Sequence, residues 1–155
     1  MKLKHLSLPL IVGLTLTSAS ALAYDANLAK SYQQQFANVE GAVAGKNLGL
    51  MSPAAFVEAT KAGKEMVALD IRTPAEMSIF GLALPDSLNI PANQVFEAEN
   101  LAKLPTDKPI VVFCKSGARA TALGTALRHA GFDNVKILKG GFKGLSAYMG
   151  PKEAN

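Results

Sequence analysis

The chain has 155 residues, 49% of them hydrophobic and 18% charged, with 16 basic side chains against 12 acidic ones. That length suits a single domain, and the composition excludes a wholly disordered chain. With no Trp, three Tyr, one Cys and two His, it lacks the stacking surface of a single-stranded nucleic-acid binder, an internal disulfide and the ligands of a tetrahedral zinc site.

The chain opens on Lys2, Lys4 and His5, continues in an apolar run at residues 6–16, and passes through small residues to Ala21-Leu22-Ala23. This is the order of a cleavable secretory signal, with the cut expected after Ala23 and a periplasmic destination. The alternative is an uncleaved anchor. The uncharged stretch at residues 6–23 is 18 residues long, at the lower edge of what spans a bilayer, and its Ser, Thr and Ala content favours cleavage. The remaining chain keeps 14 basic and 12 acidic residues, unevenly placed. Residues 24–102 hold five basic and nine acidic side chains, residues 103–152 nine and two. The second half is therefore suited to drawing anions, although a solvated Lys-rich surface would give the same count.

Leu28, Tyr32, Phe36 and Val39 fall at helical spacing, and Gly41, Gly45 and Gly49 then interrupt the pattern. Ser52-Pro53 is an N-cap followed by Pro at the first helical position, which predicts a helix over 53–62 stopped by Gly63. Met66-Val67-Ala68-Leu69-Asp70-Ile71 reads as a buried strand. Thr73-Pro74-Ala75-Glu76 is a capping box opening a short helix. Pro85-Asp86 marks a turn before a short strand at 87–90. A helix is expected over 97–104 and the clearest buried strand over 109–113. A helix over 120–130, a strand over 135–138, a break at Gly140-Gly141 and a helix over 142–149 complete the chain. Alternating strands and helices predict an α/β fold, a central parallel sheet with helices on both faces. Such sheets bind ligands beyond the carboxyl ends of their strands.

Cys114 stands where the clearest strand ends, followed by Lys115, Ser116, Gly117, Ala118, Arg119 and Ala120. A strand that turns at once into a helix leaves unpaired N–H groups and a positive dipole end around the thiol. Gly117 permits close backbone approach, and Lys115 and Arg119 bring cations. These features favour a reactive thiolate; the bland alternative is an inert buried Cys. An unpaired Cys in an exported chain needs such an explanation.

With these residues in view, the chain from about residue 50 to 149 resembles a single rhodanese domain. Cys114-Lys115-Ser116-Gly117-Ala118-Arg119 is similar to that family's C-x-x-G-x-R loop. Leu69-Asp70-Ile71-Arg72-Thr73-Pro74-Ala75-Glu76, Ser87-Leu88-Asn89-Ile90-Pro91 and Val135-Lys136-Ile137-Leu138-Lys139-Gly140-Gly141 follow its other motifs in order. The organisation expected is a signal peptide at 1–23, an N-terminal helical extension at 24–50 and a rhodanese-like domain at 51–150. The resemblance implies sulfur transfer through a persulfide on Cys114. The loop from Lys115 to Ala120 would hold the substrate, and a small anionic donor such as thiosulfate would react with a cyanide or thiol acceptor. It implies no cofactor and no metal. Asp70 and Arg72 are expected near the site as a structural pair.

Two rivals stand beside this reading. Phosphatase-type loops carry five residues between Cys and Arg, whereas four lie between Cys114 and Arg119. A non-catalytic sulfur or anion carrier, or a sensor, would use the same loop without turnover. No G-x-S-x-G, G-x-G-x-x-G or P-loop segment is present. His129, the one His beyond residue 23, is expected to be solvated at a helix end. No nucleic-acid partner, and no membrane contact after signal removal, is expected.

Overall fold

The structure, a computed structural model, describes residues 23–150. All but the last residue of the expected signal peptide lies outside the described residues. Five strands, β1 (Leu50–Met51), β2 (Val67–Asp70), β3 (Leu88–Asn89), β4 (Ile110–Phe113) and β5 (Val135–Leu138), form one sheet in the order β1-β5-β4-β2-β3. Every pairing is parallel, with Ala68 opposite Val111 and Val111 opposite Lys136 at its centre.

The continuous apolar runs of β2 and β4 follow from burial on both faces. Successive side chains alternate across the sheet. Ile110, Val112 and Cys114 join one core cluster with Ala120 and Leu127, whereas Val111 and Phe113 join another with Phe56, Phe142 and Leu145. On the first face lie α5 (Ala98–Leu101) and α6 (Ala118–His129). On the second lie α3 (Pro53–Lys61) and α7 (Gly141–Tyr148). The expected architecture is the one observed.

Local chemistry starts these helices where the sequence places them. Ser52 Oγ accepts from the Ala55 amide at 3.1 Å behind Pro53, and Thr73 makes the full capping box of α4 (Pro74–Ile79) with Glu76. Two boundaries differ. The helix expected from residue 120 begins at Ala118, because Gly117, at φ 91°, is its N-cap. The helix expected over 97–104 is reduced to α5.

The extension is more structured than its glycines suggest. Helix α1 (Ala26–Phe36) is capped by Asp25, then a 3-10 turn (Gly41–Val43) and α2 (Ala44–Asn47) lead into β1. Helix α1 lies against α6. Gln35 donates to the Thr125 carbonyl at 3.2 Å, Ser31 Oγ is 3.1 Å from His129 Nε2, and Tyr32 stacks on the imidazole at 4.0 Å. The expectation of a solvated His129 is thus corrected: the ring is half-buried, because the extension covers it.

Candidate active site

Cys114 follows the last residue of β4, the middle strand, and segments after both neighbouring strands close around it. From the β2 side, the Ile71 amide donates to the Phe113 carbonyl at 3.1 Å. From the β5 side, the Phe142 amide donates to the Cys114 carbonyl at 2.9 Å and the Lys143 amide to Lys115 at 3.0 Å. This contact explains the Gly140-Gly141 pair, which spacing alone marks as a break. A Cβ on Gly141, at φ 54°, would overlap the Cys114 carbonyl oxygen and come within 2.8 Å of the Gly117 nitrogen. The pair is a seat for the cysteine loop.

Within that loop the Gly117 amide donates to Cys114 Sγ at 3.2 Å. The helical ladder of α6 begins only with the Thr121 amide, bonded to the Gly117 carbonyl at 2.8 Å. The amides of Ala118, Arg119 and Ala120 therefore have no acceptor within the helix. They form the positive end of a 12-residue helix beside the sulfur. Such an arrangement stabilises negative charge on Sγ or on an atom attached to it. Cys114 is also deep, at 1% exposure, packed in the cluster that holds Val112 and Ala120. The thiol thus stands at the strand end, as the sequence places it, and is also buried.

Of the loop residues named from the sequence, Gly117 and Ala120 are buried, Arg119 is half-buried, and Lys115, Ser116 and Ala118 are exposed. Arg119, expected from the sequence as a cation beside the thiol, carries a partner of its own. Its guanidinium makes a fork with Glu76, at 2.7 Å to Oε1 and 2.8 Å to Oε2. That bond, with the Thr73 amide, holds the Glu76 carboxyl down at about 2. Arg119 is pushed up in turn, first by Glu76 and to a smaller extent by Cys114. Sequence reasoning missed this role of Glu76. The capping box accounts for the residue locally, and no spacing rule links it to a partner 43 positions away. Lys115 makes no ion pair among the described residues.

Asp70 and Arg72 are buried at 2% exposure and joined at 2.7 Å. Arg72 also donates to the Phe80 carbonyl at 2.6 Å, and its guanidinium carbon sits 3.9 Å from the centre of the Phe142 ring. The pair makes no hydrogen bond to the sulfur. It fixes α4, and so Glu76, against α7. Beyond Glu76, a cleft of about 170 Å³ is lined by Arg72, Glu76, Ile79, Phe80 and Lys115. No group of three metal-ligating side chains occurs among the described residues, and none of their helices is long and apolar enough to cross a membrane.

A cysteine held at the end of a central parallel strand, under the first turn of the next helix, defines an α/β domain with a cysteine loop. Residues 52–148 match the profile of the Rhodanese-like domain, and the chain belongs to that family. It is 33% identical over 78 residues to a protein named "Sulfurtransferase" from Allochromatium vinosum, covering 50% of this chain and 69% of that one. It is also 33% identical over 89 residues to "Probable adenylyltransferase/sulfurtransferase MoeZ" of Mycobacterium tuberculosis. That match covers 57% of this chain and about a fifth (22%) of MoeZ. Among solved structures, a rhodanese-related protein from Thermoplasma volcanium aligns with a TM-score of 0.55 at 29% identity, over 65% of this chain and 93% of that one.

Proposed function

We propose that the protein is a sulfurtransferase in which Cys114 carries sulfur as a persulfide. The observation that carries this reading is the Gly117 amide at 3.2 Å from Cys114 Sγ, at the head of three helix amides without ladder partners. The Cys114 thiolate attacks the outer sulfur of thiosulfate. The S–S bond of the donor breaks, its electron pair leaves with sulfite, and the enzyme holds Cys–S–S⁻ against the loop amides. Cyanide or a thiolate then attacks the outer sulfur, and the electron pair returns to Cys114. The sequence relation to the Allochromatium protein supports the reaction class, and the four-residue interval between Cys114 and Arg119 supports a single sulfur over a phosphoryl group.

The test is thiocyanate formation from thiosulfate and cyanide by the chain from Tyr24 onward. Cys114→Ser is expected to reduce it to background. Intact mass after donor exposure should rise by about 32 Da, one sulfur, and fall again on addition of cyanide or thiol. An adduct that neither acceptor removes would leave a carrier rather than an enzyme. We further propose export by the segment at residues 1–23, which sequencing the periplasmic protein from its N-terminus would test: Tyr24 should be first.

A further inference from the structure

The N-terminal extension rests on the domain without burying any residue of α1. Between the two lies a cavity of about 170 Å³, lined from the extension by Gln35, Phe36, Val39 and Leu48 and from the domain by Arg128 and Asp133. Thr125, also on its wall, stands seven residues beyond Ala118, about 10 Å along α6 from the cysteine loop. The cavity is thus separate from the sulfur site. Gln35 Nε2 donates to the Thr125 carbonyl at 3.2 Å, which fixes the orientation of the amide. Its Oε1 is the one buried side-chain nitrogen or oxygen among the described residues without a hydrogen-bond partner. A buried acceptor left without a donor carries the full cost of its desolvation. Arg128 directs Nη1 to the Asp133 and Val135 carbonyls, at 2.9 and 3.1 Å, and Nη2 reaches only the Asn47 carbonyl at 3.4 Å. Neither Arg128 nor Asp133 forms an ion pair among the described residues. The walls therefore present an unmatched acceptor, a cation and an anion that together carry no net charge, and apolar surface.

We propose that this cavity binds a small zwitterionic α-amino acid with an aliphatic side chain. The carboxylate meets Arg128, the ammonium group donates to Gln35 Oε1 and faces Asp133, and the side chain lies on Phe36, Val39 and Leu48. A ligand of one charge sign would be repelled by one of the two charged walls. At about 30 Å³ for each water, the cavity has room for about five or six, which suits a molecule of fewer than about ten non-hydrogen atoms. Because the walls come from the extension on one side and the domain on the other, occupancy holds α1 on α6.

The experiment is calorimetric titration of the purified protein with L-leucine, with glycine, and with two part-molecules of leucine: 4-methylpentanoate, which lacks the ammonium group, and 3-methylbutylamine, which lacks the carboxylate. Leucine should bind at least tenfold more tightly than any of the other three, and at a hundredfold excess over Kd it should raise Tm by several degrees. Gln35→Met and Asp133→Asn should each weaken leucine binding at least threefold. Asp133 is exposed and its carboxylate pairs with no described cation, so Asp133→Asn keeps the fold even where Gln35→Met loosens α1. Leucine that fails to bind at millimolar concentration, binds no more tightly than glycine or either part-molecule, or binds unchanged in either variant overturns the inference. Sulfur transfer at Cys114 is untouched by that result.

Discussion

Glu76→Gln separates the charge of the Glu76–Arg119 clamp from its shape. Glutamine still accepts the Thr73 amide, so the start of α4 survives. What disappears is the negative charge that cancels Arg119. For a dianionic donor at roughly 8 Å in water, Coulomb's law gives about 1 kcal/mol of added attraction, or about fivefold in KM at low salt. At about 0.15 M salt, one Debye length of screening reduces this to about twofold. KM for thiosulfate should therefore fall in Glu76→Gln and become more salt-dependent. Arg119→Ala does the reverse, because it removes the cation and leaves Glu76 unpaired beside the site, so KM should rise. Stability should drop by about 1 kcal/mol or less in either variant, since the pair is partly exposed. Steady-state kinetics at two ionic strengths decide the matter. If KM rises alike in both variants, the clamp acts through geometry alone and the electrostatic reasoning is wrong.

Gly141→Ala should cost at least tenfold in kcat/KM and lower Tm by several degrees, because its methyl group displaces the Cys114 carbonyl. Gly63→Ala, at φ 64° with nothing within 4 Å, should cost only the roughly 1–2 kcal/mol of left-handed backbone and leave kcat/KM unchanged. Arg72→Leu strands Asp70 in the core and should lose about 3–5 kcal/mol in urea unfolding. The Glu76 carboxyl is depressed from 4.5 to about 2, so its pairing stabilises the fold fully above about pH 4.5 and is lost as pH falls toward 2. The Tm difference between wild type and Glu76→Gln should be constant from pH 5 to 8 and shrink below 4.5; a change between pH 6 and 8 would contradict the assignment.

Much of this fold was legible because its determinants are local. The β-branched run of β4, the Ser52-Pro53 start and the Thr73 capping box each act within a few residues, and each stands where the sequence puts it. Strand β1 was not legible: two residues carry no periodicity, and Leu50 and Met51 become a strand only by pairing with Ile137 and Leu138. The same distinction runs through the site. Cys114 is marked by its own neighbours, whereas the Glu76 fork, the seat made by Gly141 and the Tyr32–His129 stack join segments far apart in the chain. Residue types at those positions already have a sufficient local explanation, so nothing in the sequence advertises the second role.

Cys114 directly follows the middle strand, and the groups that close around it follow β2 on one side and β5 on the other. No hairpin or half of the molecule contains the whole site. A partly unfolded chain that loses either neighbouring strand keeps its thiol but no longer holds the amide ring around it. Catalytic competence and sheet integrity should accordingly vanish together on denaturation, at one midpoint, and activity becomes a faithful gauge of the intact domain.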